Sequence, residues 1–241
     1  MQPELTPPPV DPNRPLASGP RIGGLEKLSL VDWPGRLCAV LFLQGCAWRC
    51  RYCHNPHLIP FRGETASSWD AFMHWLQRRR GLLDGVVFSG GEPTWQPHLD
   101  QAMDAVLALG FQIGLHTGGP SPQRLEPLLT RVGWVGFDFK APFDRYTQVT
   151  GSDDGQQARA SLGLIQSAGV DYEVRTTWHP ELLDADELAV MADTLAEAGI
   201  SSWVIQRFRP DGCDDAKLLG QPVGAVPLER LQRTGLTITI R

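Results

Sequence analysis

The feature that most constrains the fold of this chain is a repeated pattern in which an apolar strand candidate is followed by a helix candidate. The strand candidates are 37–43, 85–88, 111–117, 134–140, 171–177 and 203–208, with a last extended segment at 236–240, and helical spacing falls between them at 69–80, 98–109, 122–131, 156–168 and 185–198. Apolar strands that alternate with amphipathic helices predict a parallel sheet covered by helices. Six units are fewer than the eight of a closed barrel, so an open six-unit barrel and a doubly wound sheet both fit. Either fold places functional loops at the carboxyl ends of the strands.

Composition divides the chain into a short tail and one domain. Residues 1–20 contain seven prolines and few large apolar side chains, so they cannot bury enough surface to offset the entropy of ordering. From Ile22 onward the pattern is regular, and 42% of the 241 residues are hydrophobic, which allows a substantial core. We therefore predict a mobile proline-rich tail at 1–20 and a single domain at 21–241.

Charge and hydropathy narrow the classes of partner. The net charge is −5 and the basic run Arg78-Arg79-Arg80 is short, whereas phosphate binding normally shows as clustered Lys and Arg. The sequence also has no apolar run of about 18 residues and no stretch of the signal-peptide type. We expect a cytoplasmic protein whose partners are neither nucleic acid nor membrane.

The strongest sign of chemistry is the spacing of three cysteines directly after the first strand candidate. Cys46, Cys50 and Cys53 form a Cys-x3-Cys-x2-Cys triplet, and no fourth cysteine lies nearby. A 4Fe–4S cluster is normally held by four thiolates, and structural zinc by four ligands. Three clustered cysteines therefore indicate a cluster with one iron open to a ligand that is not protein, which is typical of a site that performs chemistry.

Two other interpretations of the triplet remain open at this stage. A structural zinc site could recruit His54 or His57 as its fourth ligand, although zinc sites usually combine two close-spaced pairs of ligands. A ferredoxin-type electron carrier would need a fourth cysteine. The other two cysteines are expected to be functionally silent, since Cys38 lies in an apolar strand candidate and Cys213 in a polar loop.

A second motif follows the second strand candidate. Gly90-Gly91-Glu92 combines two glycines, which allow close backbone approach by a ligand, with a carboxylate that can accept hydrogen bonds from an amino group. Further along, Asp138 and Lys140 alternate with Phe residues at the end of a strand candidate, so the two charged side chains share a face. A salt-bridged strand end is the alternative interpretation of that pair.

Together these motifs resemble the radical S-adenosylmethionine (SAM) superfamily, which carries Cys-x3-Cys-x-aromatic-Cys after strand one and Gly-Gly-Glu after strand two. Tyr52 fills the aromatic position. The resemblance implies an α/β fold, a partial (β/α)6 barrel of the TIM type. It also implies that Cys46, Cys50 and Cys53 bind three irons of one 4Fe–4S cluster, while SAM chelates the fourth iron.

The same resemblance assigns the nearby residues to SAM. Gly90, Gly91 and Glu92 would hold its methionine amino group, and the peptide at Tyr52 would meet its adenine. Reduction of the cluster would cleave SAM and release a 5′-deoxyadenosyl radical that abstracts hydrogen. No catalytic side chain is therefore expected beyond the cluster and SAM.

Several further segments resemble one branch of that superfamily, the glycyl-radical activating enzymes. They are 29–35 (Ser-Leu-Val-Asp-Trp-Pro-Gly), 43–46 (Leu-Gln-Gly-Cys), 53–56 (Cys-His-Asn-Pro), 138–140 (Asp-Phe-Lys) and 146–151 (Tyr-Thr-Gln-Val-Thr-Gly). The similarity covers nearly all of residues 22–210 and is strongest to activators of anaerobic ribonucleoside-triphosphate reductase. It implies that Asp138 and Lys140 lie beside SAM and that Arg175, on the fifth strand candidate, pairs with the SAM carboxylate.

One segment departs from that branch. Formate-lyase activators have Asp-Thr-Asn-Gly where this chain has His116-Thr-Gly-Gly119, and that Asp helps to hold a monovalent cation, so the sequence does not predict whether a cation binds here. The residue that contacts adenine near the end of the sixth strand candidate is not matched either. Arg207 and Arg209 are the neighbours of that position.

Two indications favour a protein substrate. The domain is small, with no long insertion to cover a small-molecule pocket, and a six-unit barrel leaves a lateral opening wide enough for a polypeptide loop. No cysteine occurs between Cys53 and Gly90, so the auxiliary-cluster insert of some activating enzymes is absent. We predict an enzyme that abstracts hydrogen from a glycine of anaerobic ribonucleotide reductase, with a flavodoxin-like or ferredoxin-like electron donor. The alternatives are a pyruvate formate-lyase-type activator, a small-molecule enzyme such as 7-carboxy-7-deazaguanine synthase, and a non-enzymatic zinc or iron–sulfur module.

Overall fold

The computed structural model describes residues 19–241, and the tail predicted at 1–20 lies, but for its last two residues, outside the described residues. The strands are β1 Ile22–Ser29, β2 Cys38–Leu43, β3 Gly85–Gly90, β4 Gln112–Thr117, β5 Trp134–Asp138, β6 Asp171–Trp178, β7 Ser202–Arg207 and β8 Thr237–Ile240. They form one sheet whose spatial order is the order of the sequence, β1 to β8. β1 runs antiparallel to β2, and every later pair is parallel.

Helices and short 3-10 turns make the connections. The helices are α1 Trp69–Gln77, α2 Leu99–Ala108, α3 Pro122–Leu125, α4 Tyr146–Thr150, α5 Gly155–Ser167, α6 Ala185–Glu197 and α7 Ala216–Leu219, and the 3-10 turns are Pro56–Leu58, Pro93–Trp95, Glu126–Leu128 and Leu228–Arg230. Within the described part of the chain, none of these helices has the length and apolar character that crossing a membrane requires.

The order of the strands decides between the two folds that the sequence allowed. A doubly wound sheet reverses its strand order at a switch point. Here the order never reverses, and within residues 19–241 β1 and β8 each pair with a single neighbour, so the sheet does not close on itself. The prediction of an open partial barrel is therefore confirmed.

The structure adds one strand at the edge of the sheet and shortens one helix. β1 escaped prediction because Ile22–Ser29 contains two glycines and its middle residues are charged or exposed, so it shows no apolar run. The helix predicted at 122–131 consists of the four-residue α3 followed by a 3-10 turn that contains Pro127, which lacks the amide hydrogen that an α-helix would need. Because β1 comes first, the fifth strand candidate is β6.

The two faces of the sheet carry separate apolar clusters. The main core includes alternate residues of each strand and packs them against the helices, as expected for a helix-covered sheet. A smaller cluster on the opposite face contains Trp33 and Trp134, whose rings stack with centroids 6.1 Å apart. Trp33 fits there because Gly85 and Gly114 lack side chains; a Cβ at either position would lie about 3 Å from its ring. These contacts place Trp33 inside the barrel, near the amino ends of β3, β4 and β5.

Candidate active site

The site residues predicted from the sequence meet in one cavity at the carboxyl ends of the strands. Its volume is about 250 Å³. Its walls include all ten of them: Cys46, Cys50, Tyr52, Cys53, Gly90, Gly91, Glu92, Asp138, Lys140 and Arg175. The parallel strands bring these groups together because Arg175 lies in the carboxyl half of β6 and the other groups lie at or beyond the carboxyl ends of β2, β3 and β5.

The cysteine loop, residues 46–53, leaves β2 and is held in place by backbone hydrogen bonds. The amides of Arg49 and Arg51 donate to the carbonyls of Thr150 and Val149 at 2.8 and 3.1 Å. Both acceptors lie in α4, which carries the Tyr-Thr-Gln-Val-Thr-Gly segment noted in the sequence. That segment therefore has a structural explanation, since it fixes the loop that presents the three thiols.

Burial favours the neutral form of the three thiols of this loop when no metal is bound. Burial raises the pKa of Cys50 to about 11 and also raises the pKa of Cys46 and Cys53. Thiols bind metal as thiolates, so binding must displace these protons. Among residues 19–241, no three His, Cys, Asp or Glu side chains converge on a point that suits a single ion. This arrangement gives no support to the zinc interpretation, whereas a four-iron cluster takes one thiolate per iron.

The other two cysteines point elsewhere. Cys38 is fully buried on β2, and its Sγ lies 3.6 Å from the carbonyl of Ser29. The Sγ of Cys213 lies 3.4 Å from the carbonyl of Arg51, on the outer side of the cysteine loop. Neither residue lines the cavity. The donor set in the cavity is therefore three thiols, which fits a four-iron cluster with one iron left to another ligand.

The two glycines of the Gly-Gly-Glu turn join the ends of β2 and β3. Gly90 has a φ of 114°, and a Cβ there would lie 2.1 Å from the amide nitrogen of Leu43. A Cβ on Gly91 would lie 2.4 Å from the carbonyl oxygen of Gly45. The close backbone approach that the glycines allow is thus to the chain itself, and it packs this turn against the start of the cysteine loop.

Glu92 is fully engaged by the protein at one of its carboxylate oxygens. Oε1 accepts hydrogen bonds from the backbone and the hydroxyl of Thr94 and from the hydroxyl of Thr117, at 3.1, 2.7 and 2.8 Å. Oε2 accepts a single hydrogen bond, from the amide of Gly118 at 3.0 Å. The side chain therefore braces the ends of β3 and β4, and only Oε2 keeps a lone pair for a ligand.

Asp138, Lys140 and Arg175 form a buried ionic group, here called the cationic triad. The Oδ1 of Asp138 accepts hydrogen bonds from Nε and Nη2 of Arg175 at 3.0 and 2.9 Å, and its Oδ2 accepts one from Nζ of Lys140 at 3.1 Å. The Lys140 Nζ also lies 5.5 Å from the centroid of the Tyr52 ring. The parallel register of β5 and β6 places Asp138 directly beside Arg175.

The triad carries a net positive charge into the cavity. Burial alone would raise the pKa of Asp138, but the charges of Arg175 and Lys140 outweigh it and hold that pKa well below its usual range. Burial would likewise lower the pKa of Lys140, and the carboxylate of Asp138 outweighs it and raises that pKa. One carboxylate and two cations leave one positive charge, which suits an anionic group such as a ligand carboxylate.

The structure gives Arg175 several partners within the protein. Its guanidinium faces the cavity, yet Asp138 holds two of its nitrogens and His116 lies 3.1 Å from the third. The Nζ of Lys140 makes one hydrogen bond in the described part of the chain, so two of its donor hydrogens remain. His116 can accept at most one of the two hydrogens on Nη1 of Arg175, so Lys140 and Arg175 both keep donor hydrogens for a ligand.

His116 links the cationic triad to the segment that follows β1. Its Nε2 lies 2.8 Å from the carbonyl oxygen of Asp32, and its Nδ1 lies 3.2 Å from the hydroxyl of Ser89. A carbonyl can only accept and a guanidinium can only donate, so Nε2 of a neutral His116 forms a hydrogen bond with either Asp32 or Nη1 of Arg175, not with both. Burial, followed by the charge of Arg175, lowers the pKa of His116 to about 3, so the imidazole is neutral.

The buried His116 predicts a measurable pH dependence of stability. The unfolded chain protonates this histidine near pH 6.5, whereas the folded chain does so only near pH 3. The contribution of neutral His116 to the free energy of unfolding is therefore fully present above pH 6.5. It falls by about 1.4 kcal/mol per pH unit as the pH drops from 6.5 toward 3. We expect His116→Gln to remove this pH dependence. Between pH 7 and pH 5, the free energy of unfolding measured in urea should then fall by about 2 kcal/mol more in wild type than in the variant.

His74 provides the control for that measurement. It is exposed on α1, and its side chain is solvated in both the folded and the unfolded chain. His74→Gln should therefore keep the pH dependence of wild type. Equal losses of unfolding free energy in wild type and His116→Gln would show that His116 does not resist protonation.

Several residues of the cavity wall were not assigned by the sequence. Asp32, Ser89, Thr177 and Gln206 line it together with the predicted residues. Asp32 belongs to the Ser-Leu-Val-Asp-Trp-Pro-Gly segment, so the sequence revealed its motif but did not place the residue in the cavity wall. The others are common polar residues on the inner face of strands, and no local signal separates them from solvent-facing positions.

The carboxyl end of this open barrel holds three thiols beside the cationic triad. This arrangement suits an enzyme that works through a metal cluster and a second, anionic ligand. A model of the Radical SAM superfamily matches residues 40–202. The chain therefore belongs to the radical SAM superfamily, and its cofactors are a 4Fe–4S cluster and SAM.

Two relatives identify the branch. A protein of Methanocaldococcus jannaschii named as a glycyl-radical enzyme activating enzyme is 29% identical over 218 residues, which cover 84% of this chain and 85% of the relative. The pyruvate formate-lyase-activating enzyme of Clostridium pasteurianum is 32% identical over 174 residues, 69% of this chain and 72% of the relative. The chain is thus a glycyl-radical enzyme activating enzyme, which favours that prediction over the small-molecule and zinc alternatives.

Solved structures agree with the fold. A radical SAM methyltransferase from Sphaerobacter thermophilus superposes with a TM-score of 0.63 at 18% identity, covering 87% of this chain and 67% of that one. SuiB from Streptococcus suis, bound to SAM, gives a TM-score of 0.60 at 14% identity over 81% of this chain and 48% of that one. At such low identity these similarities concern the architecture alone.

Proposed function

We propose that this enzyme installs a glycyl radical in anaerobic ribonucleoside-triphosphate reductase, using a cluster held by Cys46, Cys50 and Cys53. The observation that carries the radical chemistry of this proposal is the incomplete donor set: three thiols in one cavity, with no fourth thiol in its wall. The iron without a thiolate would be the one that binds SAM. When bound, the cluster and SAM supply the one-electron chemistry that removes a hydrogen atom from the substrate.

The residues around the thiols would hold SAM. The net positive charge of the cationic triad attracts the SAM carboxylate, with the remaining donor hydrogens of Lys140 available to it. The Gly90-Gly91-Glu92 turn receives the methionine amino group through its backbone or through Oε2 of Glu92. The ring of Tyr52 is buried beside Lys140 and closes the wall where the adenine would lie.

The protein itself contributes by positioning SAM with groups that are already fixed in place. Asp138 fixes both cations of the triad, and Glu92 fixes the turn that faces them, so neither must reorganise when the ligand binds. Preorganised groups of this kind lower the entropic and solvent cost of the reaction. The unclosed sheet leaves a side of the barrel open for a loop of the partner protein.

The identity of the partner rests on the sequence resemblance, which is strongest to activators of the anaerobic reductase. A flavodoxin-like or ferredoxin-like protein is the proposed electron donor. The five cysteines, all free in the structure, suit the reducing cytoplasm. A second candidate partner is pyruvate formate-lyase, since relatives that cover most of the chain are named as its activating enzymes.

Electron paramagnetic resonance tests the proposal directly. The anaerobically reduced enzyme is mixed with SAM and, in parallel, with anaerobic ribonucleotide reductase or pyruvate formate-lyase from the same source. We expect a glycyl radical signal in the reductase and none in a reductase whose target glycine is replaced by alanine. A signal in the formate-lyase alone would transfer the assignment to the second candidate, and no signal in either enzyme would refute the proposal.

A further inference from the structure

The cysteine loop is covered on its outer side by residues 208–215, which follow β7 and are here called the outer loop. The ring of Phe208 stacks on that of His54, the first residue after the cysteine loop, with centroids 5.9 Å apart. The Nε2 of His54 lies 2.9 Å from the carbonyl oxygen of Arg209. Gly212 has a φ of 75° and packs so closely on the carbonyl of His54 that no room is left for a Cβ. The outer loop therefore packs against the carboxyl end of the cysteine loop.

Arg51, within the cysteine loop, binds to the elements on both sides of it. Its amide donates to the carbonyl of Val149 in α4 at 3.1 Å. On the side of the outer loop, its carbonyl lies 3.4 Å from Sγ of Cys213, and its Nε donates to Oδ2 of Asp215 at 2.7 Å. Thiols are weak donors, whereas hydrogen bonds between charged groups are about twice as strong as neutral ones. The ion pair between Arg51 and Asp215 is therefore the strongest polar contact between the two loops.

Asp215 is held in place independently of Arg51. It is the N-cap of α7, and its Oδ1 accepts hydrogen bonds from the amides of Lys217 and Leu218 at 2.9 and 3.3 Å. Its other oxygen, Oδ2, is thus presented to Arg51 by a carboxylate that is already fixed. The side chains of Arg51 and Asp215 are 33% and 18% exposed, so water screens the pair only in part.

We propose that Arg51 and Asp215 are positioning residues that keep the cysteine loop closed around the cluster and so slow the loss of iron. Arg51 lies between Cys50 and Cys53, so an anchor at this residue restrains both thiols. Release of a buried group requires local opening of the segment that holds it, and the contacts that opening breaks set its free energy. The inference goes beyond the proposed function, because it concerns how the cluster is kept and is the same for any partner enzyme.

Two variants that each remove one charge test the proposal. Arg51→Gln and Asp215→Asn keep a polar side chain, and Asn serves as an N-cap as well as Asp does. In the reconstituted enzyme, we expect amide hydrogen exchange at residues 49–53 and iron loss to a chelator to accelerate about fivefold in each variant, as a partly exposed ion pair allows. The double variant should behave like either single variant, since all three lack the same interaction. Arg51→Lys keeps the charge and should recover most of the wild-type behaviour.

Asp104→Asn is the matched control, because it breaks an ion pair of similar geometry elsewhere. The Nε of Arg131 donates to Oδ1 of Asp104 at 2.8 Å, but this pair joins α2 to the segment before β5. The control variant should leave amide exchange at residues 49–53 and the rate of iron loss unchanged.

Three results would overturn the proposal. The first is wild-type exchange and iron loss in Arg51→Gln or Asp215→Asn. The second is a double variant whose effect equals the product of the two single effects, because the residues would then act separately. The third is an equal acceleration of exchange in β4, which would indicate a general loss of stability. Neither readout requires a radical to form, so failure of the proposed function would leave this test unaffected.

Discussion

Cys50→Ala is expected to abolish cluster assembly and reduce SAM cleavage to background. Each of the three thiols in the cavity would hold one iron, and no other cysteine lines the cavity wall to replace one. With only two thiolates left, one more iron of the cluster would have no protein ligand. The fourth iron already has none, because SAM would bind it. Iron content and visible absorbance after anaerobic reconstitution, followed by the yield of 5′-deoxyadenosine, measure the effect.

Cys213→Ala is the matched control for that substitution. Its Sγ lies near the carbonyl of Arg51, so it is close to the cysteine loop without facing the cavity. We expect this variant to assemble a full cluster and to cleave SAM at the wild-type rate. A full cluster in Cys50→Ala, or a lost one in Cys213→Ala, would contradict the assignment of the ligands.

Asp138→Asn is expected to lower the free energy of unfolding by about 3 kcal/mol at pH 7. Removal of one partner from a buried ion pair typically costs 3–5 kcal/mol, because the remaining charge stays buried without compensation. The lower end applies here, since the Asp138 side chain is 30% exposed while those of Arg175 and Lys140 are 9% and 14% exposed. Urea unfolding measures the loss. SAM cleavage should fall at least tenfold, because both cations lose the carboxylate that orients them.

A surface ion pair of the same chain provides the comparison. Asp104 receives two hydrogen bonds from Arg131, but its side chain is 53% exposed. Exposed pairs contribute about 0–1 kcal/mol, so Asp104→Asn should change stability by no more than that. If Asp138→Asn cost as little as Asp104→Asn, the triad would not be the buried ionic group that the structure indicates.

The sequence predicted most of the strands, and the residues it nominated line one cavity, for a physical reason. Strands buried on both faces are apolar throughout, so β2 to β7 stand out as apolar runs between helical patterns. The rule that parallel strands place their functional loops at one end then sufficed to bring the predicted residues together. β1 was missed because an edge strand exposes one side and needs no such run.

The hydrogen bonds within the site could not be predicted from motifs. A motif nominates Glu92 and Arg175 as ligand contacts, yet the structure uses three donors on Oε1 of Glu92 and gives Arg175 to Asp138. The contact between His116 and the carbonyl of Asp32 joins residues 84 positions apart. Such pairings depend on the register of neighbouring strands, which no local pattern encodes.

Trp33 makes the two ends of the barrel different, and this difference affects the lifetime of a reactive intermediate. Its ring fills the space left by Gly85 and Gly114 and stacks on Trp134, so the amino end of the barrel is plugged from within. The reaction chamber is then closed at its amino end, so water, oxygen and other quenching solutes would reach it from the carboxyl end or through the unclosed side of the barrel. A bound partner that covers these openings would therefore also shield the intermediate, so that the chamber is closed to solvent only while a substrate is in place to be modified.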